Sequence, residues 1–107
     1  MLILADVKNE LNITWDDEAT DYKIKNIAKR AQATVSGLIG IPGHEWINLN
    51  ITAVSEPEGT EAEQLFLDCC RYMYNDAFED FRINFAGVIT SLRAFNTANA
   101  EGSAENA

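Results

Sequence analysis

The chain has 107 residues, 47% of them hydrophobic, and a net charge of −9 from 17 acidic and 8 basic side chains. This length suits one domain with its own core. The chain has no Lys/Arg cluster that could grip a phosphate backbone, which argues against sequence-specific nucleic-acid binding, and no apolar run long enough to span a membrane. The first residues lack the basic lead and apolar length of a signal peptide, so we expect a cytosolic protein at synthesis.

A short amphipathic helix is predicted from Leu4 to Leu11, with Val7 between them at helical spacing. Thr14 or Asp16 is expected to cap the next helix, because short polar side chains accept hydrogen bonds from first-turn amides. Several carboxylates crowd this turn, where the helix dipole favours negative charge. They are Asp16, Asp17, Glu18 and Asp21. The spacing of a calcium loop is absent, so capping is favoured over metal binding.

The clearest helical pattern runs from about Asp17 to Leu38. Its apolar residues repeat every 3.6 positions over four turns, as in a helix with one buried face. They are Ile24, Ile27, Ala28, Ala31, Val35, Leu38 and Ile39. Half of the basic residues lie on its other faces, which we interpret as solvated rather than as a binding patch. Gly40 and Pro42 end the helix, since Gly adopts the left-handed conformation and Pro cannot continue a helix.

A long middle loop, His44–Thr60, carries no helical pattern. Polar and apolar residues alternate in part of it, which allows a short strand or an extended arm. The alternating apolar residues are Ile47, Leu49 and Ile51. Trp46 is expected to fold onto the core. His44 has no nucleophile or second base in a defined relation to it, so it does not predict a catalytic site.

The next helix is predicted as one uninterrupted element, Glu61–Phe85, because it contains neither Gly nor Pro. On a continuous helix its apolar residues form two neighbouring sectors, whereas a monomer's surface helix needs one. The first sector is interpreted as core: Phe66, Cys70, Met73, Ala77 and Phe81. A polar stripe is interpreted as solvated: Asp68, Arg71, Asn75, Glu79 and Arg82. The second sector supplies the candidates for a subunit interface: Leu67, Tyr74, Phe78 and Phe85.

Two interpretations of this apolar surplus stay open. The helix is either wrapped by several neighbours within the monomer or in contact with another subunit. Thr60 is expected to cap it.

The two cysteines, Cys69 and Cys70, are adjacent and point about 100° apart on a helix, so no disulfide between them is expected. We interpret both as small buried apolar residues. One His and no CxxC spacing argue against a zinc site. The chain also lacks Ser/His/Asp, Cys/His, paired-acid and phosphate-loop arrangements. We therefore expect no catalytic residues, no cofactor and no metal.

The C-terminal part begins with a break at Ala86-Gly87, followed by a short helix whose apolar residues are Val88, Ile89, Leu92 and Phe95. From Asn96 onward there is no apolar periodicity, which predicts disorder. The predicted fold class is all-α, a small antiparallel bundle of about four helices with a long middle loop. Residues 1–95 form the helical domain and residues 96–107 a disordered acidic tail.

In this order, the elements resemble the small head–tail connector (adaptor) proteins of long-tailed bacteriophages and prophages. The resemblance covers roughly residues 4–94. It rests on Val7-Lys-Asn-Glu-Leu-Asn-Ile, Trp15-Asp-Asp-Glu-Ala-Thr-Asp, Ile27-Ala-Lys-Arg-Ala with Leu38-Ile-Gly, Cys70-Arg-Tyr-Met-Tyr-Asn, and Phe85-Ala-Gly-Val-Ile-Thr-Ser-Leu-Arg. The chain departs from the family in Asp76-Ala-Phe, where many relatives carry an Asn-Arg pair, and in a longer middle loop.

The resemblance implies a non-catalytic structural protein at the head–tail junction of the virion, assembled in the host cytoplasm. Such proteins form a ring, usually of twelve subunits, below the portal protein. The ring extends the DNA channel and seats the next head-completion or tail protein. DNA only passes through it, and an acidic wall would repel its phosphates. The family's C-terminal region is where portal contact is expected, here Val88, Ile89, Leu92, Arg93 and Phe95.

A second hypothesis stays open beside this one. The chain would be a small acidic cytosolic regulatory or inhibitor module, active as a monomer or dimer, whose carboxylates imitate the phosphates of DNA. Ring formation separates the two hypotheses.

Overall fold

The computed structural model describes residues 1–50 and 54–105, with side chains described as far as residue 100. The predicted all-α fold class is confirmed, with five helices in the described residues: α1 (Leu4–Glu10), α2 (Glu18–Leu38), α3 (Glu61–Tyr74), α4 (Phe78–Asn84) and α5 (Ala86–Glu105). The only β-type pairing in these ranges is an isolated parallel bridge between Leu2 and Ile47. None of the described helices is long and apolar enough to cross a membrane.

Lys8 joins α1 to the start of α2. Its Nζ lies 2.8 Å from Asp16 Oδ1 and 2.9 Å from Asp21 Oδ1, and its side chain is only 9% exposed. Burying a charge is costly unless the charge is paired, and here two carboxylates pair with one buried ammonium. The hydrogen bond and the charge of Lys8 lower the pKa of Asp16, and both aspartates raise the pKa of Lys8 through hydrogen bonds.

The N-cap of α2 is Asp17, so the expectation of Thr14 or Asp16 was wrong. Asp17 Oδ2 accepts hydrogen bonds from the Thr20 amide at 2.9 Å and from the Thr20 hydroxyl at 2.8 Å. The carboxylate of Asp16 is instead bound to Lys8. Both hydrogen bonds from Thr20 favour the ionised carboxylate and lower the pKa of Asp17.

A single core forms where α2 packs on α3, with contributions from α1, α4 and the loops. The α2 face predicted to be apolar is buried in it, with Leu38 half-buried at its end. From the predicted first sector of the following helix, Phe66, Cys70 and Phe81 are buried, whereas Met73 and Ala77 are half-buried. Burial of these matching faces is what holds the two longest core helices together, because isolated helices of this length are marginal in water.

The middle loop is fastened to the core at both ends. Trp46 is fully buried, as predicted, and stacks on Phe66 with ring centroids 5.6 Å apart. Gln32 Oε1 accepts hydrogen bonds from the amides of Trp46 and Ile47 at 2.8 and 3.1 Å. At the other end, the buried carboxylate of Glu63 accepts from the amides of residues 58 and 59. In the alternating segment, Ile47 forms the bridge and Leu49 is half-buried, while Ile51 lies outside the described residues.

The helix predicted to run uninterrupted over residues 61–85 is broken between α3 and α4, so that prediction was wrong. The amide of Ala77 donates to Tyr72 O at 2.8 Å and the amide of Asp76 donates to Met73 O at 3.1 Å, which is the Schellman pattern of a helix C-terminus. Asp76 takes the left-handed conformation at φ 54°. Asp and Asn tolerate this conformation better than other non-glycine residues, so a helix can end without Gly or Pro.

One residue of the predicted polar stripe differs from the prediction. Asp68 is buried rather than solvated, being 9% exposed. Its Oδ1 accepts hydrogen bonds from Arg71 Nη2 at 3.1 Å and from Gln64 Nε2 at 3.3 Å. These partners offset the loss of water around the carboxylate.

Helix α5 follows α4 almost directly, because Phe85 is the only residue between them. The predicted break at Ala86-Gly87 is thus the first turn of α5. The helix continues past Asn96, where disorder was predicted, to Glu105; residues 106–107 lie outside the described residues. Continuing a helix fixes one residue per added hydrogen bond, and residues 97–105 contain Ala and Glu but no Pro. Residues 97–100 are all exposed, consistent with their lack of apolar periodicity.

Candidate interaction surface

Four aromatic rings meet where α3, α4 and α5 join. The ring of Phe81 is fully buried and lies 5.8 Å from Phe78, 5.2 Å from Phe85 and 5.9 Å from Tyr72, measured between centroids. Tyr72 and Phe85 also meet edge-on at 5.7 Å. Offset and edge-on pairs at these distances are the favourable arrangements of aromatic rings. We call Tyr72, Phe78, Phe81 and Phe85 the aromatic cluster.

The four candidates for a subunit interface do not form the single sector that a continuous helix implied. Phe78 and Phe85 belong to the aromatic cluster. Tyr74 instead lies beneath α2, with Lys23 Nζ 5.2 Å from its ring centroid. Leu67 packs against the core, and all four residues are half-buried within the chain. The chain itself thus covers part of the apolar surplus, and part of each side chain remains accessible.

A surface cleft of about 400 Å³ opens beside Phe78, between α2 and the α3–α4 junction. It is lined by Arg30 of α2, by Met73 and by residues 76–80. These lining residues combine apolar side chains with one basic and three acidic ones, Asp76, Glu79 and Asp80. Apolar contact area surrounded by charged side chains is the composition typical of protein–protein contacts.

The most exposed large apolar residue of α4 is Ile83, at 73%. Phe78 and Phe81 of α4 and Phe85 directly after it recur at helical spacing toward the body, and Ile83 lies two residues beyond Phe81 on the opposite side. On a continuous helix Ile83 belongs to neither apolar sector, so it was not predicted as a contact residue. Treating α4 as a separate helix would have identified it, because an apolar residue on the polar side of a short amphipathic helix is conspicuous. Other exposed large apolar residues are Trp15, Tyr22, Val54 and Phe95.

The residues implied as portal contacts divide into two groups. Val88, Ile89 and Leu92 are half-buried against the core, whereas Phe95 is 62% exposed. Arg93 is exposed, and its Nη1 donates to Leu38 O at 3.4 Å. Asn96, which the sequence placed in a tail, donates from Nδ2 to Ile39 O at 2.7 Å. Contacts of this kind join residues more than 50 positions apart and leave no local sequence pattern.

The two cysteines lie in surroundings that disfavour the reactive thiolate form. Burial raises the pKa of the Cys69 thiol to about 12, helped by the charge of Asp68, and burial likewise raises the pKa of Cys70. Both cysteines are free thiols. Because their pKa values are raised, they stay protonated at neutral pH and make poor nucleophiles. The rings of His44 and Trp46 are tilted by 56° with centroids 4.7 Å apart, and His44 Nε2 lies 3.8 Å from Glu58 Oε1. In the described part of the chain, no group of three His, Cys, Asp or Glu side chains could hold a metal ion.

The cleft, Ile83 and Phe95 each present apolar surface that is accessible to another molecule. No protein-family model, curated protein or solved structure matches the chain. Its own residues are therefore the basis for a functional proposal.

Proposed function

We propose that this chain is a structural head–tail connector (adaptor) protein of a long-tailed bacteriophage or prophage. It forms a ring below the portal protein, of twelve subunits as the family resemblance implies, which extends the DNA channel and seats the next head-completion or tail protein. It works at the head–tail junction of the virion and assembles in the host cytoplasm. It performs no catalysis, and DNA passes through it without specific binding.

The observation that carries this proposal is the order of the five sequence segments that resemble the family. Each segment coincides with a helix or a helix terminus: α1 and its end, the capped start of α2, the body and end of α2, the end of α3, and the first half of α5.

Exposed apolar groups support contact between copies of the chain. Ile83 and Phe95 lie on different helices, and the cleft beside Phe78 is a third feature. A ring requires two different surfaces on each subunit, one for each neighbour. The net charge of −9 fits a channel wall that repels the DNA backbone.

The decisive experiment measures the mass of the purified chain by sedimentation and native mass spectrometry, alone and mixed with the portal protein encoded beside it. We expect a ring in at least one of the two samples. A monomer or dimer in both would contradict the proposal. It would favour the small acidic regulatory or inhibitor module, for which competition with DNA for a DNA-binding protein is the direct assay.

Two α4 variants test the contact surface. Ile83→Asp should leave the free energy of unfolding within about 0.5 kcal/mol of wild type, because Ile83 is exposed, yet prevent ring formation by placing a charge against an apolar neighbour. Phe78→Glu should also prevent it, but at a cost of about 2 kcal/mol of stability, since Phe78 is half-buried and stacks on Phe81.

Thr90→Asp, an exposed change to the same charge on α5, is the matched control. Rings that form normally from both α4 variants would exclude α4 from the subunit contact.

A further inference from the structure

The last carbonyl groups of α2 receive hydrogen bonds from two parts of the chain, and the first is the turn that follows the helix. The amide of Ile41 donates to Ser36 O at 2.9 Å and the amide of Gly40 donates to Gly37 O at 3.3 Å. Gly40 takes the left-handed conformation, φ 81°, that this Schellman motif requires. The local turn thus provides donors for the first two of the last four carbonyls, those of residues 36 and 37.

The second source is α5. The next two carbonyls, those of Leu38 and Ile39, accept from Arg93 Nη1 at 3.4 Å and from Asn96 Nδ2 at 2.7 Å. A helix C-terminus carries partial negative charge and favours a nearby cation. The last turn of α2 consists of residues 35–38, all uncharged, so Arg93 supplies from another helix the positive charge that α2 lacks.

The remaining attachment of α5 to the body is small. Its described side chains, residues 86–100, are half-buried at most, and only Val88, Ile89 and Leu92 pack on the core. The junction with α4 is one residue long, and a Cβ added to Gly87 in the first turn would meet nothing within 4 Å. Rotation of α5 about this junction would therefore disturb little of the core.

We propose that α5 is a latched arm, which opens from the body while the core stays folded, and that Asn96 and Arg93 hold it closed by capping α2. Opening transfers two helix-end carbonyls and three half-buried apolar side chains to water and leaves the buried core intact. Asn96 is the stronger of the two contacts, because its hydrogen bond is shorter by 0.7 Å than the 3.4 Å bond of Arg93. This device concerns the free chain and does not depend on ring formation.

Native-state amide hydrogen exchange on the full chain tests the latch. Once it leaves the body, α5 is an isolated helix of marginal stability and loses its internal hydrogen bonds. In wild type, amides from Ile89 to Phe95 should therefore exchange through an opening with a weaker urea dependence than amides of buried α2 and α3 residues such as Ile27 and Cys70. Asn96→Ala should speed exchange of the α5 amides about fivefold, the effect of losing a typical cap. Core amides that exchange through global unfolding should speed by the same factor, because the closed chain is the starting state of both openings.

Asn99→Ala is the matched control, since it makes the same change on an exposed position of the same helix and gains the same helix propensity. Arg93→Met should speed α5 exchange about twofold at low salt, with a smaller difference from wild type at high salt. Equal α5 exchange rates in Asn96→Ala and Asn99→Ala would overturn the latch. So would α5 amides that share the rate and the urea dependence of the core amides in wild type, because α5 would then unfold only with the core.

Discussion

Ile27 is buried in the core that α2 and α3 build, so a charge at this position is poorly tolerated. We predict that Ile27→Asp lowers the free energy of unfolding by about 4 kcal/mol, because a carboxylate there has neither water nor a cationic partner. Urea unfolding followed by circular dichroism measures the loss. Ala33→Asp, which adds the same charge on the exposed side of α2, is the control and should stay close to wild type.

Asp17 gives α2 a pH-dependent cap. Its pKa lies below the usual value of 3.8 because Thr20 donates two hydrogen bonds to the carboxylate. The stabilisation is therefore present above pH 3.8 and is lost as the pH falls through the lower pKa of the folded state.

We predict that Asp17→Ser, which keeps a capping oxygen but cannot titrate, loses less stability than wild type between pH 6 and pH 2.5. Thermal unfolding at both pH values is the measurement. Glu45→Gln removes an exposed loop carboxylate and controls for the change in net charge. Equal losses in wild type and Asp17→Ser would show that the cap does not contribute.

The burial of a single residue could be predicted where the apolar character of its side chain determines whether it is buried. The burial of Trp46 and of both cysteines followed from their apolar character and position. Gln32 and Asn96 could not be predicted, because each uses a polar side chain on backbone groups far away in the chain. A surface Gln on α2 and an Asn in a polar tail are the ordinary expectation for such residues.

Two helices end in the same backbone motif, yet only one end was predicted. At the end of α2 the left-handed residue is Gly40, which sequence reasoning recognises. At the end of α3 it is Asp76, which lacks the glycine signal, and the stretch was read as one helix. Helical periodicity predicted that residues 61–85 are helical, but the phase between Tyr74 and Phe78 depends on this one turn. The grouping of interface candidates changed for that reason.

Substitutions at Asp76 should change the free energy of unfolding in opposite directions for a broken helix and for a continuous one. Asp76→Gly should raise the free energy of unfolding by about 0.5 kcal/mol, since Gly adopts positive φ without strain, and Asp76→Ala should lower it by about 1 kcal/mol. In a continuous helix Ala would be the better residue and Gly the worse. Urea unfolding of the two variants decides the matter, and a more stable Asp76→Ala would contradict the break.

For the molecule as a whole, composition and periodicity predicted an all-α fold with one core, because each long apolar stripe needs a partner. They did not predict where α5 lies. Its contacts with the end of α2 come from Arg93 and Asn96, and its apolar residues are few. The position of a helix held mainly by polar contacts to backbone carbonyls leaves almost no trace in a hydrophobic pattern.

Shortening the chain from its C-terminal end tests the contribution of Asn96 against that of the residues that follow it. We predict that removal of residues 97–107 leaves the free energy of unfolding within about 0.5 kcal/mol of wild type, since residues 97–100 are exposed. Removal of residues 96–107 should cost about 1 kcal/mol more, because the cap on Ile39 O is lost. Equal stability of the two truncated chains would contradict this division.

The position of Lys8 between Asp16 and Asp21 has a consequence for covalent labelling. Lys23 and Lys29 are exposed, whereas the amine of Lys8 is enclosed, held protonated by two carboxylates and therefore shielded from acylating reagents, which attack the neutral amine. While α1 stays at the start of α2, acylation of Lys8 is expected to be slower than acylation of Lys23 and Lys29. The extent of acylation at Lys8 thus reports whether the N-terminal helix has stayed in contact with α2.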